Sequence, residues 1–407
     1  MKNKNIIYNN HIQKKYFNSK LDIKYNAIIK KISGNLNSQL NNFHLFSKNF
    51  KFNFKTNDLY KFKKYQTVVI IGMGGSILGA EAIYHFLKKK IQKNFIFFDD
   101  IDENKLINLK SKHNLNKILF IVISKSGSTI ETLSNFFSLQ NIKKNSKNII
   151  IITEKSNNPL YQISKKNGFS FIEHKNYIGG RYSVLSEAGM VPAYLMGLKI
   201  KDFRKILFRN LQIKNAAYLR ESTIMLSSIL KQKKLNNIIL FNYVPELDKF
   251  MHWKQQLLSE SLGKKGKGFL PTVSKAPKDH HSLLQLYLDG PKDKIFYIFS
   301  AETNKKNSIK IKSLDKKINY FHNKNLSQIK DAQKNAFIKV LKEKKISFRE
   351  FRIKDFNEYT LGELFSYFML ETAIIGQLSD INPFNQPAVE QVKFQTKNLL
   401  SKKILQK

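Results

Sequence analysis

The chain has 407 residues, 71 Lys and Arg against 30 Asp and Glu, a formal net charge of +41 and no Cys. The lack of Cys excludes disulfides and thiolate metal sites and fits a reducing compartment. No run reaches the roughly 18 to 20 apolar residues that a membrane span requires, and no long apolar stretch follows Met1-Lys2-Asn3-Lys4-Asn5. A cytoplasmic protein with no membrane partner is expected. The charge invites a nucleic-acid reading, but only six of the basic residues are Arg, and the lysines are spread along the whole chain. Nucleic-acid sites concentrate charge on one face and favour Arg for bidentate contacts. No specific nucleic-acid partner is therefore expected. The field would still attract anionic metabolites.

Taken in order, residues 1–60 are rich in Asn and Lys with a few apolar anchors, such as Phe43, Leu45 and Phe46. They read as helices and loops packed on the rest of the chain. An alternation then begins. Apolar runs at Thr67–Ile71, Phe95–Phe98, Ile118–Ile123, Ile149–Ile152 and Phe169–Ile172 predict strands. Helical segments are predicted between them, at Ile77–Lys90, Asn104–Lys112, Ile130–Leu139 and Pro159–Lys166. Such repetition predicts a parallel sheet covered on both faces, with functional loops at the carboxyl ends of the strands.

The stretch from Ala193 to Asn236 reads mostly as helix. A second α/β block comes after it. Its predicted strands are Ile238–Phe241, Ile295–Phe299 and Phe348–Ile353, and its predicted helices are Leu247–Leu262, Leu326–Glu343 and Leu361–Leu378. No Pro/Gly/Ser linker separates the blocks, so they are expected to pack closely. A last helix is predicted after Asp380-Ile381-Asn382-Pro383.

The stretch that organises the chain is Ser124-Lys125-Ser126-Gly127-Ser128-Thr129, between a predicted strand and a predicted helix. A helix N-terminus offers unpaired N–H groups and partial positive charge, and so holds anions. The hydroxyls add donors, and Gly127 permits close approach of the backbone. This is chemistry for one phosphate group, without the residue order of a nucleotide P-loop. The same residues also suit a polar turn that caps a helix. Gly72-Met73-Gly74-Gly75-Ser76 ends the first predicted strand. It is not a Gly-x-Gly-x-x-Gly fingerprint, and no acidic residue is placed as a ribose partner. Two such loops at the ends of nearby strands suggest one site, with Ser76 on one side of it.

Gly179-Gly180-Arg181-Tyr182-Ser183 holds one of the six Arg residues in a Gly-Gly turn, suited to fixing positive charge at a substrate. Gln256 and Glu260 lie one turn apart on a predicted helix. Glu260 falls near its end, where the helix dipole would raise a carboxylate pKa and suit a general base. It suits an exposed surface Glu equally well. His280-His281 offers at most one acid–base group, since adjacent side chains diverge. Gln386 and Lys393 are two turns apart on the last predicted helix.

Together these stretches resemble the glucose-6-phosphate isomerase (phosphoglucose isomerase) family. The resemblance rests on the three loops, on Gln255-Gln256 with Glu260-Ser261 and Gly263-Lys264, on His281 with Gln285-Leu286, and on Gln386 with Glu390 and Lys393. Order and spacing match over about residues 65–400. The resemblance implies an α/β fold with parallel sheets, in two sugar-isomerase-type (SIS) three-layer α/β/α domains. The divisions are a helical extension over 1–60, a first domain over 61–200, a second over 201–380 and a C-terminal helix over 381–407 that completes the site. It implies a homodimer and no metal or cofactor. Ser76, Ser124, Ser126 and Thr129 would hold the phosphate, and Gly75, Lys125, Gly180, Gln256 and Gln386 would join them in binding substrate. Arg181 would sit by the reacting carbons and Glu260 would be the base. His281, from the partner subunit, would act with Lys393 in ring opening. Two departures stand out. The family usually has Asn where Leu262 stands, and a Gly-rich stretch with a Trp where Thr272–His280 stands.

The implied reaction is the isomerisation of D-glucose 6-phosphate and D-fructose 6-phosphate in glycolysis and gluconeogenesis. Glu260 would move a proton between C2 and C1 through a cis-enediol, while Arg181 stabilises the developing oxyanion. Three alternatives remain open on the sequence: additional use of mannose 6-phosphate, a sugar-phosphate sensor without catalysis, and a nucleic-acid binder suggested by charge alone.

Overall fold

The computed structural model describes residues 5–38, 41–140, 143–205, 211, 217–302, 309–313 and 315–402. The strands are β1 (Ile6–His11), β2 (Thr67–Gly72), β3 (Asn94–Phe98), β4 (Ile118–Ile123), β5 (Ile149–Thr153), β6 (Ser170–Glu173), β7 (Asn237–Asn242), β8 (Leu270–Lys275), β9 (Lys294–Ala301) and β10 (Phe348–Ile353). They form two five-stranded sheets, ordered β3-β2-β4-β5-β6 and β1-β10-β9-β7-β8. The first is parallel throughout. The mixed α/β architecture with parallel sheets read from the apolar runs is the one observed.

The central parallel strands β2, β4, β5, β7 and β9 are apolar on both faces because both faces are covered. Val68, Ile70, Leu119, Ile121, Ile150 and Ile152 face a large inner core. Their alternates, among them Val69, Ile71, Phe120, Val122 and Ile151, face a separate outer core. The second sheet repeats this, with Ile238, Leu240, Tyr297 and Phe351 inward and Ile239, Phe241, Phe296 and Ile298 outward. The inner core is continuous from one sheet to the other. The helices Leu78–Phe86 and Asp248–Leu262 pack against each other there, and Lys249 Nζ reaches Glu81 at 2.6 Å between them. Close packing of the two blocks, expected from the missing linker, is what the chain shows.

Two strands depart from the sequence reading. Residues 1–60 do contain a helix, Lys20–Gly34, but they also contain β1, which pairs antiparallel with β10 at the edge of the second sheet. That edge corrects both the helical reading of the extension and the purely parallel reading of the sheets. β1, Ile-Ile-Tyr-Asn-Asn-His, has too few apolar residues to announce itself, and its partner is remote in sequence. β8 occupies the stretch that departs from the family pattern. It is the opposite edge, where Pro271 costs no ladder hydrogen bond that the sheet needs. Of the segment read as mostly helix, Glu187–Leu195 and Ala217–Gln232 are helical, while 206–210 and 212–216 lie outside the described residues. No helix among the described residues is long and apolar enough to cross a membrane.

Candidate active site

From β2 the chain crosses to β3 on one side and returns to β4 on the other. The loops after β2 and β4 therefore diverge from a crevice at the carboxyl edge, where open α/β sheets hold ligands. Glycines let the surrounding segments meet there. A Cβ on Gly75 would fall 2.2 Å from the Gly180 carbonyl carbon. Gly74, at φ +52°, leaves room for the Gln256 side chain, whose Nε2 lies 2.5 Å from where a Cβ would be. So the β2 loop meets the Gly179-Gly180 turn backbone to backbone, and the helix Asp248–Leu262 reaches that loop through the Gln256 side chain.

Arg181 is the hub of this junction. It is 3 % exposed, on the short 3₁₀ helix Gly180–Leu185. Its Nε donates to Ser261 Oγ at 2.8 Å, Nη1 to Glu260 Oε2 at 3.2 Å and to Gln386 Oε1, and Nη2 to the Pro383 and Asn385 carbonyls at 2.5 and 3.2 Å. The guanidinium is thereby fixed in plane, with its fork fully used. Glu260 is partly open, its side chain 25 % exposed. Its second oxygen, Oε1, accepts from Gln256 Nε2 at 2.9 Å, one turn earlier on the same helix. Both oxygens of an accessible carboxylate are thus oriented by neighbours. Gln256 Oε1 is buried without a hydrogen-bond partner. Behind the helix end, Lys264 Nζ donates to the Ser261 and Asn382 carbonyls at 2.9 and 2.8 Å. Burial, with Arg181 nearby, pushes its amine down to about 8. Leu262, where the family usually has Asn, is fully buried in the inner core.

The hydroxyl loop divides its labour. Ser124 is buried; its Oγ lies 2.9 Å from Thr129 Oγ1 and accepts from Gly127 N at 3.1 Å. These two hydroxyls brace the turn. Gly127, at φ +63°, sits where a Cβ would strike Asn158 Oδ1. Ser126 and Ser128 are the less buried pair, their hydroxyls 3.3 Å apart, at the start of the helix Ile130–Phe137. Lys125 Nζ points to Glu154 at 3.5 Å. Ser126, Ser128 and Thr129 form one wall of a cleft of about 440 Å³ whose other wall is the helix Pro387–Lys402, including Lys393. Lys393 Nζ is paired with Glu390 at 2.8 Å. Gln386, just before that helix, ties it to Arg181.

Nine of the thirteen positions singled out in the sequence therefore fall in the junction or the cleft: Gly75, Gly180, Arg181, Gln256, Glu260 and Gln386 in the first, and Ser126, Thr129 and Lys393 in the second, while Ser124 is buried behind the hydroxyl loop. Ser76 is on the turn between them, and Lys125 is drawn aside by Glu154. His281 is not brought in. It is exposed, and among the described residues no side-chain contact joins it to Arg181 or Glu260. Its neighbour His280 stacks on Phe241 and shares a 2.7 Å hydrogen bond with Tyr243 Oη, a structural role. The sequence reading missed Ser261 as a partner of Arg181, and the carbonyls of Pro383 and Asn385. A Ser beside the Glu was a visible signal; backbone carbonyls carry none.

Comparison with known proteins identifies the family. The phosphoglucose isomerase family model matches residues 26–268. The glucose-6-phosphate isomerase of Methanocaldococcus jannaschii is 32% identical over 350 residues, covering 83% of this chain and 85% of its own. That of Mycoplasmopsis synoviae is 33% identical over 365 residues, covering 84% of each. Among solved structures, a hypothetical protein of Thermus thermophilus superposes with a TM-score of 0.75 at 23% identity, covering 94% of this chain and 99% of its own. A glucose-6-phosphate isomerase of Chlamydia trachomatis superposes with a TM-score of 0.70 at 18% identity, covering 85% and 72%. The structures speak for the fold and the sequence matches for the kinship: this chain belongs to the phosphoglucose isomerase family.

Proposed function

We propose that the chain interconverts D-glucose 6-phosphate and D-fructose 6-phosphate, as the names of its relatives indicate for them, by ring opening and proton transfer through a cis-enediol(ate). The observation that carries the mechanism is the accessible carboxylate of Glu260, with one oxygen on Gln256 and the other on Arg181. A base must present a lone pair at a fixed place, and two hydrogen bonds supply the fixing. One carboxylate serves both transfers, because C2 and C1 of a cis-enediol offer their protons on the same face. The charge that builds on the enediol oxygens falls beside a guanidinium whose position five hydrogen bonds already hold, so no reorganisation is needed as it forms. The Ser126 and Ser128 hydroxyls, with N–H groups at the start of the following helix, hold the phosphate and so set the sugar's register.

Ring opening is assigned to His281 and Lys393. Lys393 shares the cleft with the hydroxyl loop. His281 lies exposed and apart from Glu260 in its own chain. This favours a homodimer in which His281 reaches the partner's site. Val392, Phe394 and Leu399, on the helix that walls the cleft, are 68 %, 62 % and 68 % exposed, which also favours a covering subunit. Glycolysis and gluconeogenesis in the cytoplasm are the corresponding setting. The test is direct: purified chain, fructose 6-phosphate and a coupled dehydrogenase specific for glucose 6-phosphate. Steady product formation is expected; none at any substrate concentration would sink the assignment.

A further inference from the structure

The two sheets share one topology. β7 stands in the second where β2 stands in the first, and β8, β9 and β10 stand where β3, β4 and β5 stand. The second sheet therefore has its own crevice, between the carboxyl ends of β7 and β9, at the point where the chain departs to opposite sides. A cleft of about 620 Å³ opens there, lined by none of the residues of the first site.

Its floor is Ser300, at the end of β9. The residue is 2 % exposed, and its Oγ has no hydrogen-bond partner. An orphaned buried hydroxyl costs free energy, and one that lines a cleft is a donor waiting for an acceptor. Two ammonium groups flank it. Lys330 Nζ donates to the carbonyl of Tyr243, on the loop after β7, at 3.3 Å, and has no carboxylate partner among the described residues. Lys354, just after β10, has no carboxylate partner among the described residues. The other charges in the walls are already matched. Lys90 is held by Glu358 at 2.6 Å, Glu246 has Lys89 at 3.7 Å, Glu302 has Arg352 at 3.6 Å, and Lys334 lies 3.9 Å from both Asp331 and Glu350. Asp355 remains, beside Lys354 at the rim.

We propose that this crevice is a second, non-catalytic site of the chain, which binds the phosphate group of a small hydroxylated monophosphate. Lys330 and Lys354 supply the charge and Ser300 Oγ donates to a phosphate oxygen. Asp355, which would repel a bare dianion, accepts a hydroxyl of the carried group. The site does not depend on the reading of the first one.

The test counts bound inorganic phosphate per full-length chain by equilibrium dialysis at moderate salt, which suppresses diffuse attraction to the lysines. Wild type should bind two, and Ser126→Ala with Ser128→Ala should retain one. In that background, Lys330→Gln with Lys354→Gln, and separately Ser300→Ala, should weaken the remaining site at least about tenfold, one charge-assisted hydrogen bond's worth. Ser300→Ala removes a single atom, so it keeps the test decisive even where the double lysine variant fails to fold. Fructose 6-phosphate should bind the loop-disabled chain more tightly than phosphate does, and Lys330→Gln with Lys354→Gln alone should leave turnover unchanged. No phosphate bound by the loop-disabled chain would overturn the proposal. So would full binding after Ser300→Ala and the lysine changes.

Discussion

Glu260→Gln is the sharpest perturbation of the proposed mechanism, because the surroundings of Glu260 accommodate the amide. In the wild type, Oε2 accepts from Arg181 Nη1 and Oε1 from Gln256 Nε2. Glutamine keeps its carbonyl oxygen toward Arg181. Its NH₂ would then face the Gln256 NH₂, donor against donor. Gln256 resolves this by turning its amide over, since its Oε1 is buried with no partner and becomes the acceptor. The geometry is thereby kept, and the fold should lose about 1 to 3 kcal/mol, the range of one charge-assisted hydrogen bond, because buried Arg181 gives up its carboxylate partner. Catalysis should lose a positioned base, about 10²- to 10⁴-fold in kcat, or roughly 3 to 5 kcal/mol of barrier. KM should change little, since the phosphate contacts are untouched. The assay pairs coupled turnover with solvent-deuterium incorporation at C2, followed by NMR, and with thermal unfolding. Turnover and exchange should fall together in a chain that still unfolds cooperatively, with only a modest drop in Tm. Turnover within tenfold of wild type, or turnover lost while exchange persists, would refute Glu260 as the group that carries the proton.

The hydroxyl loop separates binding from bracing. Ser126→Ala with Ser128→Ala should raise KM for fructose 6-phosphate by at least tenfold, from hydrogen bonds of about 1.5 to 3 kcal/mol each to a charged group, with the fold intact; an unchanged KM would mean that the loop serves only as a cap. If His281 crosses to the partner, refolding Glu260→Gln with His281→Ala chains together should recover about a quarter of wild-type activity, because half the dimers are mixed and each mixed dimer has one intact site. Recovery near zero with mixed dimers demonstrated would put both residues in one chain's site. His174 supplies a pH prediction. It is 1 % exposed, its Nδ1 lies 3.0 Å from the Lys175 carbonyl oxygen, and its Nε2 has no partner. Burial, with Lys125 nearby, depresses its pKa to about 4. The unfolded chain takes up this proton at about 6.5, so the associated stability is complete above that pH and is lost as pH falls toward 4, about 3 kcal/mol in all. Urea titrations of wild type and His174→Asn should show a difference that shrinks over this window; a constant difference would exclude the linkage.

The parallel strands were legible because burial on both faces writes a continuous apolar run: Ile118–Ile123 is six buried residues in a row. β1 and β8 were not, because an edge strand needs only a partner's backbone, and tolerates Asn, Ser, Lys and Pro. The same division holds at the site. Loops built on glycine and hydroxyl patterns stand out, since positive φ and close approach restrict which residues can be used. The partners that fix Arg181 do not, as two of them are backbone carbonyls of Pro383 and Asn385, and any residue carries a carbonyl. Lys393 was invisible as a single Lys among so many. It was singled out only through the family resemblance, and the structure adds that the helix bearing it faces the hydroxyl loop.

The pairing of β1 with β10 bears on how the chain is made. Ile6 sits opposite Ile353 and His11 opposite Phe348. Among the described strands, the first in chain order is thus complemented by the last, so its ladder cannot close before Phe348–Ile353 has been made. The sheet around β2 is complete by Glu173 and can assemble while the rest is still being translated. Joining of these sequence-distant strands is the slow, high-contact-order step, since the loop it closes runs from His11 to Phe348. Until then β1 is an unpaired edge template open to other nascent chains. A message truncated ahead of Phe348 would leave that edge permanently open, and the product should be found in aggregates rather than as a smaller working enzyme.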